Sequence, residues 1–502
     1  MKILPIDKVR EADAFTIAHE PVPSIDLMER AATGCFEWIK TYLKANQPVM
    51  VFCGPGNNGG DGLVIARLLG IAGHPVSTMI LRSSSEASQD FQVNYSRLTS
   101  IKNVTIKELK DGDPLPDIPD DCLVIDAIFG SGLSKPVKGF IANIINHINA
   151  AKAAVVAVDI PSGLFSDQHT DSQQGAIINA DYTISFQFPK LAFMFPENDE
   201  HVGEWHIQPI GMHHDFIEKV EVKNFLVTAE DLRGKLKPRP KFSHKGHYGH
   251  ALLIAGGYGK MGAAVLASKA CLHSGVGLLH THIPTKGYSI IQTAVPEAMV
   301  SIDSHEEHFS EVPNLLPYTA IGIGPGIGFD PQTKASLKLL IQNSAVPMVF
   351  DADAITILGE NKTWLSFISK SSIFTPHPKE FERLTGKASD DFARNRLQRE
   401  FSIKYSAYVV LKGAHTVISC PDGSCYFNTT GNPGMATGGS GDVLTGLILG
   451  LLAQGYTGKM ASLLGVYIHG LSGDLAAKKY SMEAMIAGNI IDKLGKAFKR
   501  LY

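Results

Sequence analysis

The chain is punctuated by short, continuously apolar runs set about a helix's length apart. The first part carries PVMVFCG (48–54), VSTMIL (76–81), CLVIDAIFG (122–130), AVVAVDIPSG (154–163) and YTISF (182–186). A second series follows: HALLIAGG (250–257), GLLHTHIP (277–284), AIGIGPGIG (320–328), PMVFDADAI (347–355), SSIFTPHP (371–378) and AYVVLKGAH (407–415). A strand that is apolar at successive positions, not at alternate ones, is covered on both faces. That is the pattern of a parallel sheet between two layers of helices. The sequence therefore predicts an α/β fold built twice. Length alone, 502 residues, allows two to four domains. The polar stretch HHDFIEKVEVKNF (213–225) separates the two series and reads as the junction, giving domains 1–215 and 225–502.

Composition narrows the function classes. Lys+Arg total 46 and Asp+Glu 49, a net charge of −3, which favours neither a nucleic-acid backbone nor an anionic membrane. The six cysteines form no CxxC pair, so neither a zinc site nor a disulfide framework is expected, and a reducing cytoplasm fits. The first residues, MKILPIDKVREADAF, lack the apolar core of a signal peptide, and no apolar run reaches membrane-spanning length.

The most chemically specific segment is Gly434-Met435-Ala436-Thr437-Gly438-Gly439-Ser440-Gly441-Asp442, followed at once by the apolar run VLTGLILGLLAQG. A glycine-rich loop entering a helix offers free backbone N–H groups and the positive end of the helix dipole, a site for phosphate. Asp442 would sit beside that phosphate, placed to take a proton from an attacking hydroxyl. The bland alternative is an ordinary acidic cap, which does not need so many glycines.

In the first domain, Gly54-Pro55-Gly56-Asn57-Asn58-Gly59-Gly60-Asp61-Gly62 follows the first strand and opens a helix. It matches the GxGxxG dinucleotide fingerprint, but that fingerprint also wants an acid at the end of the second strand. Here that strand ends in Arg82, so a dehydrogenase reading survives only through a 2′-phosphate contact. Asp126 and the Asp159-Ile160-Pro161-Ser162-Gly163 segment end two further strands. An acid ending a buried strand is costly unless paired, metal-bound or functional, and strand C-termini line the ligand crevice of an open parallel sheet. Asn58, Asp126, Asp159 and Ser162 are expected to converge there. Their oxygen-only set suits a hard cation. The alternative is that each acid merely caps the next helix.

The second domain repeats the pattern. Gly322-Ile323-Gly324-Pro325-Gly326, Asp351-Ala352-Asp353, His377 in TPHPKE, and Lys412-Gly413-Ala414-His415-Thr416 each follow a strand and would feed one crevice with Asp442. His377 stands against the reading of an ordinary structural histidine. The basic run KLKPRPKFSHKGHYGH (235–250) reads either as a solvated loop or as an anion-attracting lip.

Residues 225–502, with GIGPGIG, TPHPKE, VVLKGAHT and NPGMATGGSGD, resemble the ribokinase-like family in its nicotinamide-nucleotide-hydrate dehydratase branch. Residues 1–215, with GPGNNGGDG, DAIFGSGL and AVDIPSGL, resemble the hydrate epimerase family, a Rossmann-like fold. The resemblance implies repair of hydrated NADH and NADPH. One domain would interconvert the R and S hydrates. The other would dehydrate the S form at the expense of ADP, giving AMP and phosphate. It also implies roles. Asn58, Asp126 and Ser162 would hold potassium. Asn57, Asn58, Gly59, Gly60 and Asp61 would bind the hydrate together with Gly130, Ser131, Gly132, Leu133, Ser134, Lys135 and Pro136. Asp159 would be the acid–base group there. Ala263, Gly326, His377 and Asp442 would contact the hydrate in the second domain. Lys412, Gly413, Ala414, His415, Thr416 and Gly441 would hold the adenine nucleotide with its magnesium ion, and Asp442 would be catalytic. A cytoplasmic homo-oligomer without nucleic-acid or membrane partners is expected. The family usually has GGTGD where this chain has GGSGD, and Ser440 keeps the hydroxyl. The rival readings are a small-molecule kinase for the second domain and a nucleotide-sensing or protein-binding module for the first.

Overall fold

A computed structural model describes residues 1–20, 22–82 and 86–502. The chain divides into two compact units. One comprises Lys2–Val222 with Asp390–Phe392; the other comprises Met1, Lys223–Ser389 and Ala393–Tyr502.

The first unit is a seven-stranded, wholly parallel sheet. Its order is Val104–Leu109, Val76–Leu81, Val49–Cys53, Leu123–Ala127, Ala154–Val158, Tyr182–Phe186 and Glu204–Gln208. Alternate side chains of each strand enter opposite cores. Val49, Val51 and Cys53 pack under the helices of one face with Ile125 and Val158, whereas Met50, Phe52, Val124 and Ala157 pack on the other. The order reverses between Val49–Cys53 and Leu123–Ala127, which pair Phe52 with Asp126. A crevice opens at such a reversal, outside the strand C-termini.

The second unit's sheet places Asn224–Val227, Cys425–Asn428, Val417–Ser419, Tyr408–Leu411, Ile373–Phe374, Met348–Phe350, Ala320–Ile323, His250–Ile254, Leu278–Ile283 and Met299–Ile302 side by side. Neighbours are parallel from Tyr408–Leu411 to Met299–Ile302, and the hairpin Val417–Ser419/Cys425–Asn428 is antiparallel. One face is covered by the helices Met261–His273, Ser440–Ala453 and Gly458–Tyr480. The first two approach unusually closely. A Cβ on Gly446 would fall 2.0 Å from the Ala267 carbonyl oxygen, and one on Gly450 would fall 1.9 Å from Ser274 Oγ. Only glycine lets two helices touch backbone to backbone this way.

The apolar runs of the sequence all contain strands, but the sequence reading missed several. Val104–Leu109 and Glu204–Gln208 are the first sheet's edges, half exposed and mixed in polarity. The junction is not featureless either: it holds the helix His214–Lys219, and Asn224–Val227 already belongs to the second sheet through Cys425–Asn428. The basic run 235–250 caps helix ends. Lys237 Nζ donates to the Gln454 carbonyl at 2.9 Å and the Arg239 guanidinium donates to the Gly275 carbonyl, at the C-termini of Ser440–Ala453 and Met261–His273. Cations there complement the dipole. All six cysteines are free and buried. Among the described residues, no helix is long and apolar enough to cross a membrane.

Candidate active sites

In the first unit the Gly54–Gly62 segment turns straight from strand into the helix Asn57–Ile71. Its glycines serve chain packing as much as any ligand. A Cβ on Gly59 would lie 1.8 Å from the Gly54 carbonyl oxygen, and one on Gly54 would lie 2.0 Å from that of Ile128. The loop is thus pressed against the end of Leu123–Ala127, which brings Asn58 to Phe129 and Gly130. Asn58 Nδ2 donates to the Phe129 carbonyl at 3.0 Å.

Asp126 is fully buried. Its carboxylate accepts from Ser162 Oγ at 2.6 Å, Ser162 N at 2.7 Å and Ile128 N at 3.1 Å. It does not cap the following helix; it ties two strand ends together. Burial pushes its pKa up to about 6, against the pull of the Ser162 and Ile128 hydrogen bonds, and no cationic side chain is paired with it among the described residues. The sequence thus grouped Asn58, Asp126 and Ser162 as they stand in space.

Asp159 lies beside them in a left-handed backbone conformation, φ +67°. Its Oδ2 accepts from Ser131 N at 3.2 Å, and its Oδ1 lies 2.7 Å from the ammonium of Lys190. Burial works to raise its pKa, but the Lys190 ammonium and the Ser131 hydrogen bonds together outweigh it and the pKa is lowered. Of the loop residues expected at the hydrate, Ser131 touches Asp159, and a Cβ on Gly132 would meet the Arg10 guanidinium at 3.0 Å. Leu133 packs on the apolar core and Pro136 against Gly175, while Ser134 and Lys135 are exposed. Arg82, the residue that kept a dehydrogenase reading open, is paired with Glu108 at 2.5 Å.

In the second unit the loop 436–439 leads into the helix Ser440–Ala453, with Gly439 at φ +89° as its N-cap and no side chain capping the first N–H groups. Asp442 is in the first turn. Burial raises its pKa to about 6, and the nearby Asp351 adds to this while Lys412 opposes it. Lys412 Nζ lies 2.9 Å from Asp351 Oδ1 and 3.9 Å from Glu380 Oε2, and Thr445 Oγ1 donates to Asp351 Oδ2 at 2.7 Å. Burial works to lower the pKa of Lys412; Asp351 and Glu380 prevail and raise it. Gly441 faces this group, since a Cβ there would lie 3.4 Å from Lys412 Nζ. Ala263 and Gly326 are likewise neighbours, Cβ to Cβ position 3.5 Å. His377 is exposed and caps the helix Pro378–Thr385, its Nδ1 accepting from Glu380 N at 3.2 Å while its own N–H donates to Glu380 Oε2 at 2.8 Å. In Gly413–Thr416 the chain turns back on itself, Thr416 Oγ1 donating to the Gly413 carbonyl at 3.0 Å, and His415 Nδ1 lies 3.2 Å from the Asn428 carbonyl.

Sequence reasoning missed four residues here. Lys190, Asp13 and Arg10 join the first site from segments without a motif, though a lone lysine inside SFQFPKLAFMFP was a visible signal. His469 supports the second site, with Nε2 3.5 Å from Ser440 Oγ, and burial lowers its pKa to about 4.

The fold is a two-unit α/β protein, with buried carboxylates gathered at strand ends in one unit and a carboxylate in the first turn of a glycine-capped helix in the other. A family model described as NAD(P)H-hydrate dehydratase matches residues 251–496, and one described as YjeF-related protein N-terminus matches 24–192. The bifunctional NAD(P)H-hydrate repair enzyme Nnr of Moorella thermoacetica is 35% identical over 519 residues, covering 100% of this chain and 97% of that one. Its Escherichia coli counterpart is 32% identical, covering 93% and 88%. A crystal structure of the ADP/ATP-dependent NAD(P)H-hydrate dehydratase from Bacillus subtilis, co-crystallised with ATP/Mg2+, is 33% identical. It covers 55% of this chain and 98% of that one, with a TM-score of 0.49. The chain belongs to the bifunctional NAD(P)H-hydrate repair enzyme family.

Proposed function

We propose that this chain repairs hydrated NADH and NADPH, its first unit interconverting the R and S hydrates and its second dehydrating the S hydrate with ADP. The observation that carries the reading is Asp442, a partly buried carboxylate with a pKa of about 6 in the first turn of an uncapped helix, beside the Lys412–Asp351 pair. Asp442 takes the proton of the hydrate hydroxyl as that oxygen attacks the terminal phosphorus of ADP. The P–O bond to AMP breaks and AMP leaves. The phosphate ester is then expelled by the ring nitrogen's electron pair as the neighbouring carbon loses a proton, which restores the double bond. Lys412 offsets the charge gathering on the phosphates, and the free N–H groups at Gly441 and Asp442 hold them. In this reading Ala263, Gly326 and His377 contact the hydrate, and Lys412–Thr416 with Gly441 the nucleotide, which enters with magnesium.

In the first unit Asn57–Asp61 and the 130–136 loop receive the hydrate, and Asp159 moves the proton. A potassium ion fits the donors present. Asp126 is a buried carboxylate without a cationic partner among the described residues, and the Asn58 amide, whose nitrogen is committed to Phe129, leaves its oxygen as a ligand. When bound, the ion supplies charge neutralisation and fixes the loops. We place the enzyme in the cytoplasm as a homo-oligomer, which light scattering on the purified chain would test.

The deciding experiment adds ADP and magnesium to NADH hydrate and follows the absorbance of the reduced nicotinamide. Its return with release of AMP and phosphate supports the reading. No return, with phosphate transferred instead to a stable hydroxyl acceptor, would make the second unit a small-molecule kinase.

A further inference from the structure

The first unit's cavity holds more acid than a binding site for a dinucleotide should. Its ligand carries two or three phosphate groups, and an unpaired carboxylate in a low-dielectric crevice repels them. Yet Asp61 stands there 8% exposed, with no hydrogen bond or ion pair to its carboxylate among the described residues. It lines a cavity of about 380 Å³ with Arg10, Asp13, Asn57 and Phe186. A buried polar group without a partner costs stability unless it does something. Phe186 of that lining donates its backbone N–H to Asp159 Oδ1 at 3.4 Å, and Asp159 is anchored by Lys190, which is 2% exposed and, among the described residues, reaches Asp159 and the Phe188 carbonyl. One crevice therefore presents an acid held by a buried cation and another left bare.

We propose that Asp61 is the general acid opposing Asp159 in epimerisation, and that Lys190 is the positioning residue that keeps Asp159 an ionised base. The proposal rests on the hydrate-epimerase reading of the first unit. Water added across the ring double bond beside the nitrogen leaves a carbon bearing both hydroxyl and nitrogen, a hemiaminal. Asp159 takes the hydroxyl proton, the C–O bond becomes a carbonyl, and the C–N bond breaks with its electron pair going to nitrogen. Asp61 protonates that nitrogen. Rotation about the adjacent C–C bond presents the other face, and the steps run in reverse: the nitrogen attacks the carbonyl carbon, loses its proton to Asp61, and the oxygen recovers one from Asp159. Nothing is oxidised, and each residue ends as it began.

The surroundings set the two acids apart in the sense this requires. Burial first, then the charges of Asp159, Asp13 and Asp90, push the Asp61 carboxyl well above the usual range, which favours its protonated form. Lys190, with the Ser131 hydrogen bonds, overcomes burial at Asp159 and holds its pKa below the usual value. Titratable groups whose pKa values are driven apart in one site mark the acid and the base. The groups facing the pair are Arg10 and Asp13 from the helix Ile6–His19, Cys35 from Ser24–Tyr42, Asp90 from Gln89–Leu98, and Asp167 near Lys190. Asp13 itself is raised to about 6, by burial and then by Asp159.

The test measures R-to-S conversion of NADH hydrate by the full chain between pH 5 and 9 for wild type, Asp61→Asn, Asp61→Glu, Lys190→Met and Lys190→Arg. Circular dichroism and thermal unfolding of the same preparations, with the first unit's transition present, show that each variant is folded, and ADP-dependent removal of the S hydrate serves as the internal control for the second unit. Asp61→Asn should lose about 10²–10⁴-fold in kcat with KM little changed, as for a missing general acid, and Asp61→Glu should recover part of it. Lys190→Met should move the acid limb of kcat/KM toward neutral pH, and Lys190→Arg should move it back. Near-wild-type kcat in Asp61→Asn, or an unmoved acid limb in Lys190→Met, overturns the assignment. A wild type that dehydrates S hydrate yet never converts R overturns the epimerase reading itself.

Discussion

Asp442 offers the sharpest quantitative test. A general base works only when ionised, and its pKa here is lifted to about 6 by burial, then by Asp351, with Lys412 opposing. At pH 5 about one enzyme in eleven then carries the ionised base, against about ten in eleven at pH 7, so kcat/KM for S-hydrate dehydration should rise about tenfold across that range. A carboxylate at its ordinary value near 3.8 would already be ionised at pH 5, and the rate would be flat. Asp442→Asn should remove the limb and about 10²–10⁴-fold of the rate, equivalent to about 3–5 kcal/mol of barrier. It should not cost stability at pH 8. A carboxylate whose folded pKa is raised contributes stability below its unfolded pKa and loses it as pH rises through about 6, so the neutral amide escapes that loss. Stopped-flow absorbance with saturating ADP, paired with thermal unfolding at pH 8, gives both readouts. A pH-independent wild-type rate from 5 to 7, or a folded Asp442→Asn enzyme within about fivefold of wild type, would refute the role.

Further expectations follow from single contacts. Lys412→Met leaves Asp351 buried without its cation and should lower the melting temperature, the loss of one partner of a buried pair costing about 3–5 kcal/mol, while raising KM for ADP; an unchanged KM would remove Lys412 from the nucleotide site. Gly59→Ala puts a Cβ 1.8 Å from the Gly54 carbonyl, so epimerisation should fail while dehydration persists, and equal activity in both would show that the loop can shift freely. Potassium should raise the unfolding temperature of wild type over tetramethylammonium at equal ionic strength, and Asp126→Asn should abolish the difference; an equal response in the variant would place the ion elsewhere. Separating the units at Val222/Lys223 keeps Asn224–Val227 with Cys425–Asn428, so the fragment from Lys223 should dehydrate S hydrate alone, and consumption of both epimers would contradict the division of labour.

The fold was legible where strands are buried on both faces, because Val49–Cys53 or His250–Ile254 must then be apolar throughout. It was illegible elsewhere. Val104–Leu109, an edge strand, is half-buried or exposed at every position but Leu109, and Val417–Ser419, inside the second sheet, is too short to show any period. The candidate sites divide the same way. Asp126 and Asp159 were visible because a charge ending an apolar run is costly, and Asp442 because it closes a glycine-rich loop that enters an apolar helix. Asp13 was not, because on the helix Ile6–His19 it looks like any surface acid, and only the folded chain turns it toward Asp61. The glycines of 54–62 were read as ligand-directed, whereas Gly54 and Gly59 answer first to neighbouring carbonyls.

The backbone contact at Gly446 and Gly450 fixes more than packing. The helix Ser440–Ala453 begins two residues before Asp442, proposed above as the general base, and its neighbour Met261–His273 begins two residues before Ala263, proposed to contact the hydrate. Gly446 lies about 6 Å along the axis from Asp442, and Gly450 about 12 Å. With no side chain at Gly446 or Gly450, the two helices act as the jaws of a gauge whose opening is set from behind. Any side chain there would widen the gap at the chemical end without touching either substrate. The spacing of acid and hydroxyl is therefore written into two hydrogen atoms on glycines that no ligand ever meets.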